Sequence, residues 1–169
     1  MNVVPHALRS RDDVFAVLET VKDPEVPVIS VVELGIVRDA SVTDGRVHVV
    51  ITPTYSGCPA MREIEDDVRA ALLAAGASDV TVQLVFAPAW TTDWIGPDAR
   101  EKLRAYGIAP PGRAESGGLI TLTRRRAPVT CPWCGSTDTR LQSEFGSTAC
   151  KAIHTCNACR QPFDEFKAI

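Results

Sequence analysis

No stretch of this 169-residue chain approaches the ~18 consecutive apolar residues of a membrane span, and its opening, MNVVPHALRSRDD, lacks the basic start and apolar core of a secretion signal. A cytoplasmic location is expected, with no membrane partner. The chain also has no glycine-rich phosphate or nucleotide loop and no internal repeat. It lacks the broad basic footprint of a nucleic-acid binder, since the formal charge is −3. Residues 1–123 carry 11 basic and 17 acidic side chains and residues 124–169 carry 7 and 4, leaving the halves at −6 and +3. The run Arg124-Arg125-Arg126 reads as a solvated stretch or as a docking point for an acidic partner.

What is present is ordinary globular composition, 45% apolar and 23% charged, enough for one domain and a small appendage. Six cysteines in a chain expected to stay reduced read as metal ligands or reactive thiols before disulfides. Four of them fall as C-P-W-C, 21 residues, then C-N-A-C. Each pair sits on a tight turn, and two turns aiming two thiolates at one point make the tetrahedron that zinc requires. Cys131, Cys134, Cys156 and Cys159 are therefore expected to close a structural zinc site with no open position for water. An iron-sulfur cluster on the same four thiolates is the rival reading. His154 reads as a surface or supporting residue rather than a ligand, and Cys150 as a buried thiol.

The pattern ahead of this module predicts an α+β domain. Ser10 and Asp13 make a capping box before a helix over roughly 11–21, and Pro24 and Pro27 hold residues 23–29 extended. Ile36–Val42 and Val47–Thr52 form a hairpin about Thr43-Asp44-Gly45. Met61, Ile64, Val68, Leu72 and Ala75 mark an amphipathic helix ended by Gly76, and Val80–Phe86 a third strand. A third helix starts at Pro97 and stops at Gly107. The order is αββαβ(α), with a three-stranded sheet over residues 8–110. A linker with a short strand at Leu119–Thr123 occupies 111–129, and the all-cysteine zinc-ribbon-like module follows over 130–169.

Cys58, in Thr54-Tyr55-Ser56-Gly57-Cys58-Pro59, falls just before the second helix, with Pro59 placed as its first residue. A helix N-terminus favours an anion, so a thiol there is expected to have a lowered pKa and to serve as nucleophile or soft-metal ligand. The plainer reading is a small buried hydrophobe. No histidine is near it in sequence, although His48 on the second strand can approach in space. Asp23 and Glu25 flank Pro24 in a rigid loop, suited to orienting a neighbour or bonding backbone. Trp90 and Trp94 can form a wall over Cys58 or pack in a core.

DPEVPV at 23–28, VVELGIV at 31–37 and the segment from Thr54 to Cys58-Pro59 together resemble the αββαβ domain of SufT-type iron-sulfur cluster assembly factors. The whole chain resembles a narrower group, the PaaD proteins of bacterial phenylacetate degradation, through APAWTTDWI at 87–95, AYGIAPP at 105–111, CPWCGS at 131–136, FGSTACKA at 145–152 and the closing PFDEFK. That resemblance implies a non-catalytic accessory member of the multicomponent phenylacetyl-CoA epoxidase, helping to assemble or insert the cluster of its iron-sulfur flavin reductase. The alternative is a zinc-stabilised docking subunit of the oxygenase. By resemblance, Cys58 is the reactive thiol or ligand of a transient iron-sulfur cluster, with Asp23, Glu25 and Thr54 as motif neighbours and Cys150 as the extra cysteine of the tail. One thiol cannot hold a cluster alone, so a homodimer, a partner protein or Cys150 would complete the set.

Overall fold

The structure is a computed structural model that describes residues 8–55, 57–112 and 128–169. The expected strand at Leu119–Thr123 and the three arginines lie outside the described residues. Two compact units divide at Trp90/Thr91.

In the first unit, α1 (Arg11–Leu18) begins as its sequence dictates: the Ser10 hydroxyl accepts the Asp13 N–H at 3.2 Å and the Asp13 carboxylate accepts the Ser10 N–H at 2.9 Å. A cap of this kind contributes about 1 kcal/mol. The helix stops short of residue 21 because the Thr20 hydroxyl donates to the Val17 carbonyl at 2.7 Å and closes its last turn. The hairpin joins β1 (Val37–Thr43) to β2 (Arg46–Ile51), and Asp44 and Gly45 both take positive φ, 51° and 76°, as a two-residue hairpin turn demands.

α2 (Met61–Ala74) then crosses over to β3 (Asp79–Leu84), which pairs parallel to β2. β2 is thus the central strand of the sheet order β1-β2-β3. Its alternation places Val47, Val49 and Ile51 in the core. The buried stripe of α2, Met61, Ile64, Val68 and Leu72, faces the same way, with α1 packed on β1 and α2 on β3. The result is two layers, both helices covering one sheet face. Trp90 is buried at the end of this unit and donates its indole N–H to the Leu34 carbonyl at 3.0 Å, so it is a core residue rather than a wall over Cys58.

The second unit, Thr91–Ile169, contains more than the zinc-ribbon segment. The expected third helix, α3 (Pro97–Ala105), belongs to it, as does a two-residue strand, β4 (Ile108–Ala109). With β5 (Thr139–Ser143), β6 (Lys151–Cys156) and β7 (Pro162–Phe166) this strand completes a sheet of order β4-β7-β6-β5, with β4 parallel to β7 and the other pairs antiparallel. Trp94, half-buried, also lies in this unit. No helix among the described residues is long and apolar enough to cross a membrane.

Candidate functional site

The two cysteine pairs fold as near-copies of one turn. In the first, the Cys131 N–H donates to the Ser136 carbonyl at 2.9 Å and the Gly135 N–H returns to the Cys131 carbonyl at 2.9 Å. In the second, the Cys156 N–H donates to the Gln161 carbonyl at 3.0 Å and the Arg160 N–H returns to the Cys156 carbonyl at 3.0 Å. The residue after each pair is left-handed, Gly135 at φ 75° and Arg160 at φ 63°. Only the first is a glycine, so the repeat is invisible in composition and plain in the hydrogen bonds. Asp138 and Asn157 tie the turns together, through a backbone bond of 2.9 Å and a side-chain bond of 2.8 Å.

The four sulfurs converge. Cys131 Sγ lies 3.7 Å from Cys159 Sγ, Cys134 Sγ lies 3.6 Å from Cys156 Sγ, and all four fall within 4.8 Å of one another. Tetrahedral coordination with Zn–S near 2.3 Å sets a sulfur–sulfur edge of about 3.8 Å. The donor set therefore fits one zinc ion, whereas a cluster would distribute its thiolates over two or more irons. In the metal-free cage the Cys159 N–H and burial act oppositely on the Cys156 thiol, and the hydrogen bond prevails, pulling it down to about 7. The Gln161 N–H pulls the Cys159 thiol down, but desolvation and the neighbouring thiols outweigh it and push it up to about 12. Metal binding at neutral pH must therefore expel protons.

His154 is not among the ligands. It is buried, accepts or donates at 2.8 Å with Glu165 Oε2, and stacks on Phe163 at 5.5 Å between centroids. Cys150 is buried, with its sulfur 3.1 Å from the Thr148 hydroxyl.

In the first unit a different site assembles. The chain between Lys22 and Ser30 closes into a loop by a bridge at its neck and by the Asp23 N–H to the Ile29 carbonyl at 3.1 Å. Inside it the buried Asp23 carboxylate accepts the Glu25 and Val26 N–H groups, each at 2.8 Å. A carboxylate oxygen that replaces backbone acceptors in this way makes the loop rigid. Its far wall is set by Ser30 and Glu33, whose reciprocal bonds of 2.9 and 3.0 Å cap a helical turn ended by Gly35 at φ 76°.

Cys58 is half-buried in the loop before α2, and Thr54 is buried at the start of that loop. The helix begins at Met61 with Ala60 as its cap, so Pro59 precedes the helix rather than opening it. The Cys58 thiol differs from expectation: desolvation, with the negative charges of Glu25 and Asp23, pushes it up, against hydrogen bonds from the Ala60 N–H and the Tyr55 side chain. The carboxylates thus do lie beside the thiol, and they favour its protonated form. Tyr55 is the neighbour that sequence reasoning overlooked, although it sits three residues before Cys58 in the same turn. His48 makes no Cys–His pair: its Nε2 bonds Gln83 Oε1 at 3.0 Å.

These electrostatics predict slow alkylation of Cys58 by iodoacetamide at neutral pH, rising as pH climbs through the raised pKa. Glu25→Gln should shift that rate profile to lower pH and speed the neutral reaction several-fold, at the scale of about 1.4 kcal/mol per pH unit. A profile unchanged by the substitution would remove Glu25 from the site.

Residues 11–84 match the iron-sulfur cluster assembly protein family, and residues 115–167 match the PaaD zinc beta ribbon domain. A 1,2-phenylacetyl-CoA epoxidase component of Escherichia coli (strain K12) is 46% identical over 157 residues, covering 93% of this chain and 92% of that protein. An Fe-S protein maturation auxiliary factor of Porphyromonas gingivalis is 37% identical over 98 residues, 57% of this chain and 92% of that protein. The crystal structure of a domain of unknown function, DUF59, from Bacillus anthracis matches 55% of this chain and 90% of its own, at 28% identity and a TM-score of 0.52. The four convergent thiolates are the structural zinc site of the matched ribbon. With its two domain types in this order and near-complete coverage by that epoxidase relative, the chain belongs to the PaaD family.

Proposed function

We propose that this protein is a cytoplasmic, non-catalytic accessory factor of the phenylacetyl-CoA epoxidase system that assists assembly or insertion of the cluster in the iron-sulfur flavin reductase. Cys58 is the point of contact with the cluster, which is cargo rather than a resident cofactor. The observation that carries this reading is the placement of Cys58: a half-buried thiol beside the Asp23–Glu25 loop, in a domain matched to iron-sulfur assembly proteins.

Among the described residues, the zinc cage is the one group of three or more side chains gathered to hold a metal. Cys58 therefore offers a single ligand, and a cluster reaching it must keep ligands from elsewhere. That suits transfer better than storage. Cys150 is buried and engaged with Thr148, which favours a second copy or the partner reductase as the source of the others. Cells carrying Cys58→Ser should yield a reductase depleted in iron and sulfide while the variant keeps its zinc. A reductase with full cluster content from those cells overturns the proposal.

A further inference from the structure

Residues 91–110 fall between the two matched segments, 11–84 and 115–167, and neither accounts for them. They are built into the zinc module at three places. Ala109 is 1% exposed and lies in the same apolar cluster as Cys131, Cys156 and Phe163, two of them zinc ligands, with Val129 and Cys159 packed against it. β4 pairs parallel with β7, Ile108 opposite Asp164 and Ala109 opposite Glu165, directly after the second cysteine turn. The third place is Gly107, whose φ of 92° ends α3 and whose missing side chain is occupied by the indole of Trp133.

Trp133 lies between the ligands Cys131 and Cys134. Its ring covers Gly107 so closely that a methyl there would overlap Cζ2 and Cη2, and its Nε1–H donates to the Pro162 carbonyl at 3.3 Å. One indole thus joins the first cysteine turn to the end of α3 and to the start of β7. The N-terminal end of the same segment is fastened too: the Thr92 N–H and the Thr91 hydroxyl donate to the Ile169 carbonyl at 3.0 and 2.9 Å.

We propose that residues 91–109 are a retention element of the zinc site, with Gly107 and Trp133 as positioning residues that hold the first cysteine turn against the sheet. The coupling runs both ways. A structural zinc site gains its affinity from folding of the module around it, so strain placed on this segment falls on the metal-bound state, and loss of metal releases the segment.

The test uses the full-length, zinc-loaded protein. Release of zinc to excess 4-(2-pyridylazo)resorcinol should be faster in Gly107→Ala by about tenfold or more, as overpacking strain on the bound state implies. Gly112→Ala, where a methyl meets nothing within 4 Å, should match the wild type. Trp133→Ala, which removes the ring without a clash, should also accelerate release and carries the test if Gly107→Ala does not accumulate folded. The double variant should fall short of the sum of the two effects, because the clash requires both residues. Removing zinc from the wild type should raise amide exchange over 97–109 together with 151–156. Wild-type release rates in the available variants, or a segment 97–109 equally protected with and without metal, would overturn the inference.

Discussion

Cys156→Ser should abolish stoichiometric zinc and unfold the second unit while leaving the first intact. Cys156 is fully buried, lies in the small apolar cluster of the module, and brings its sulfur to 3.6 Å from Cys134. Serine replaces a soft thiolate with a neutral hydroxyl, a poor zinc ligand, and leaves a buried polar group in its place. Structural zinc in modules of this kind contributes ~10–16 kcal/mol of apparent binding free energy at neutral pH, more than a small core supplies by itself. Zinc per chain should fall from one to near zero by metal analysis. Amide protection should vanish over β5, β6 and β7 and persist over α2 and β2. Retention of one tightly held zinc by the serine variant would mean that three cysteines suffice and that the fourth sulfur is dispensable.

The second large effect is expected at Trp90. Its side chain is 4% exposed and its indole N–H satisfies the Leu34 carbonyl, at the turn that shapes the far wall of the Asp23 loop. Trp90→Ala removes that packing and that donor together and should cost about 3–5 kcal/mol, a large share of the ~5–15 kcal/mol typical of a domain. Trp90→Phe should restore most of the packing yet remain about 1–3 kcal/mol below the wild type, since it leaves a buried carbonyl without its partner. Denaturant unfolding followed by amide exchange in α1 and β2, at saturating zinc, separates this unit from the other. Equal stability of the phenylalanine variant and the wild type would show that the hydrogen bond contributes nothing.

Local chemistry was legible in the sequence wherever neighbours in the chain decide the structure. Ser10 with Asp13, the Asp44-Gly45 turn, the apolar stripe of α2 and the spacing of the four zinc ligands all act over a few residues or through one metal. The parallel pairing of β3 with β2 needs a partner thirty residues away, and alternation in either strand is silent about direction. The place of α3 and β4 was harder still, because two residues, Ile108 and Ala109, have no periodicity from which to infer a sheet. The direction of the Cys58 shift was illegible for a related reason. A helix terminus is visible in sequence, but burial and the approach of Glu25 and Asp23 belong to tertiary structure, and they outweigh it.

The placement of Ala109 and Val129 in one cluster has a consequence for how length can vary along this chain. Both ends of the stretch from 110 to 128 are anchored in the same small core, so that stretch leaves the second unit and returns to it. It is an excursion and not a tether between the units, which meet in the chain at Trp90 and Thr91. Residues added or removed there alter the closure entropy of one loop, by only about 0.6 kcal/mol for a doubling of its length. They leave unchanged the length of chain that joins the thiol-bearing unit to the zinc-bearing one.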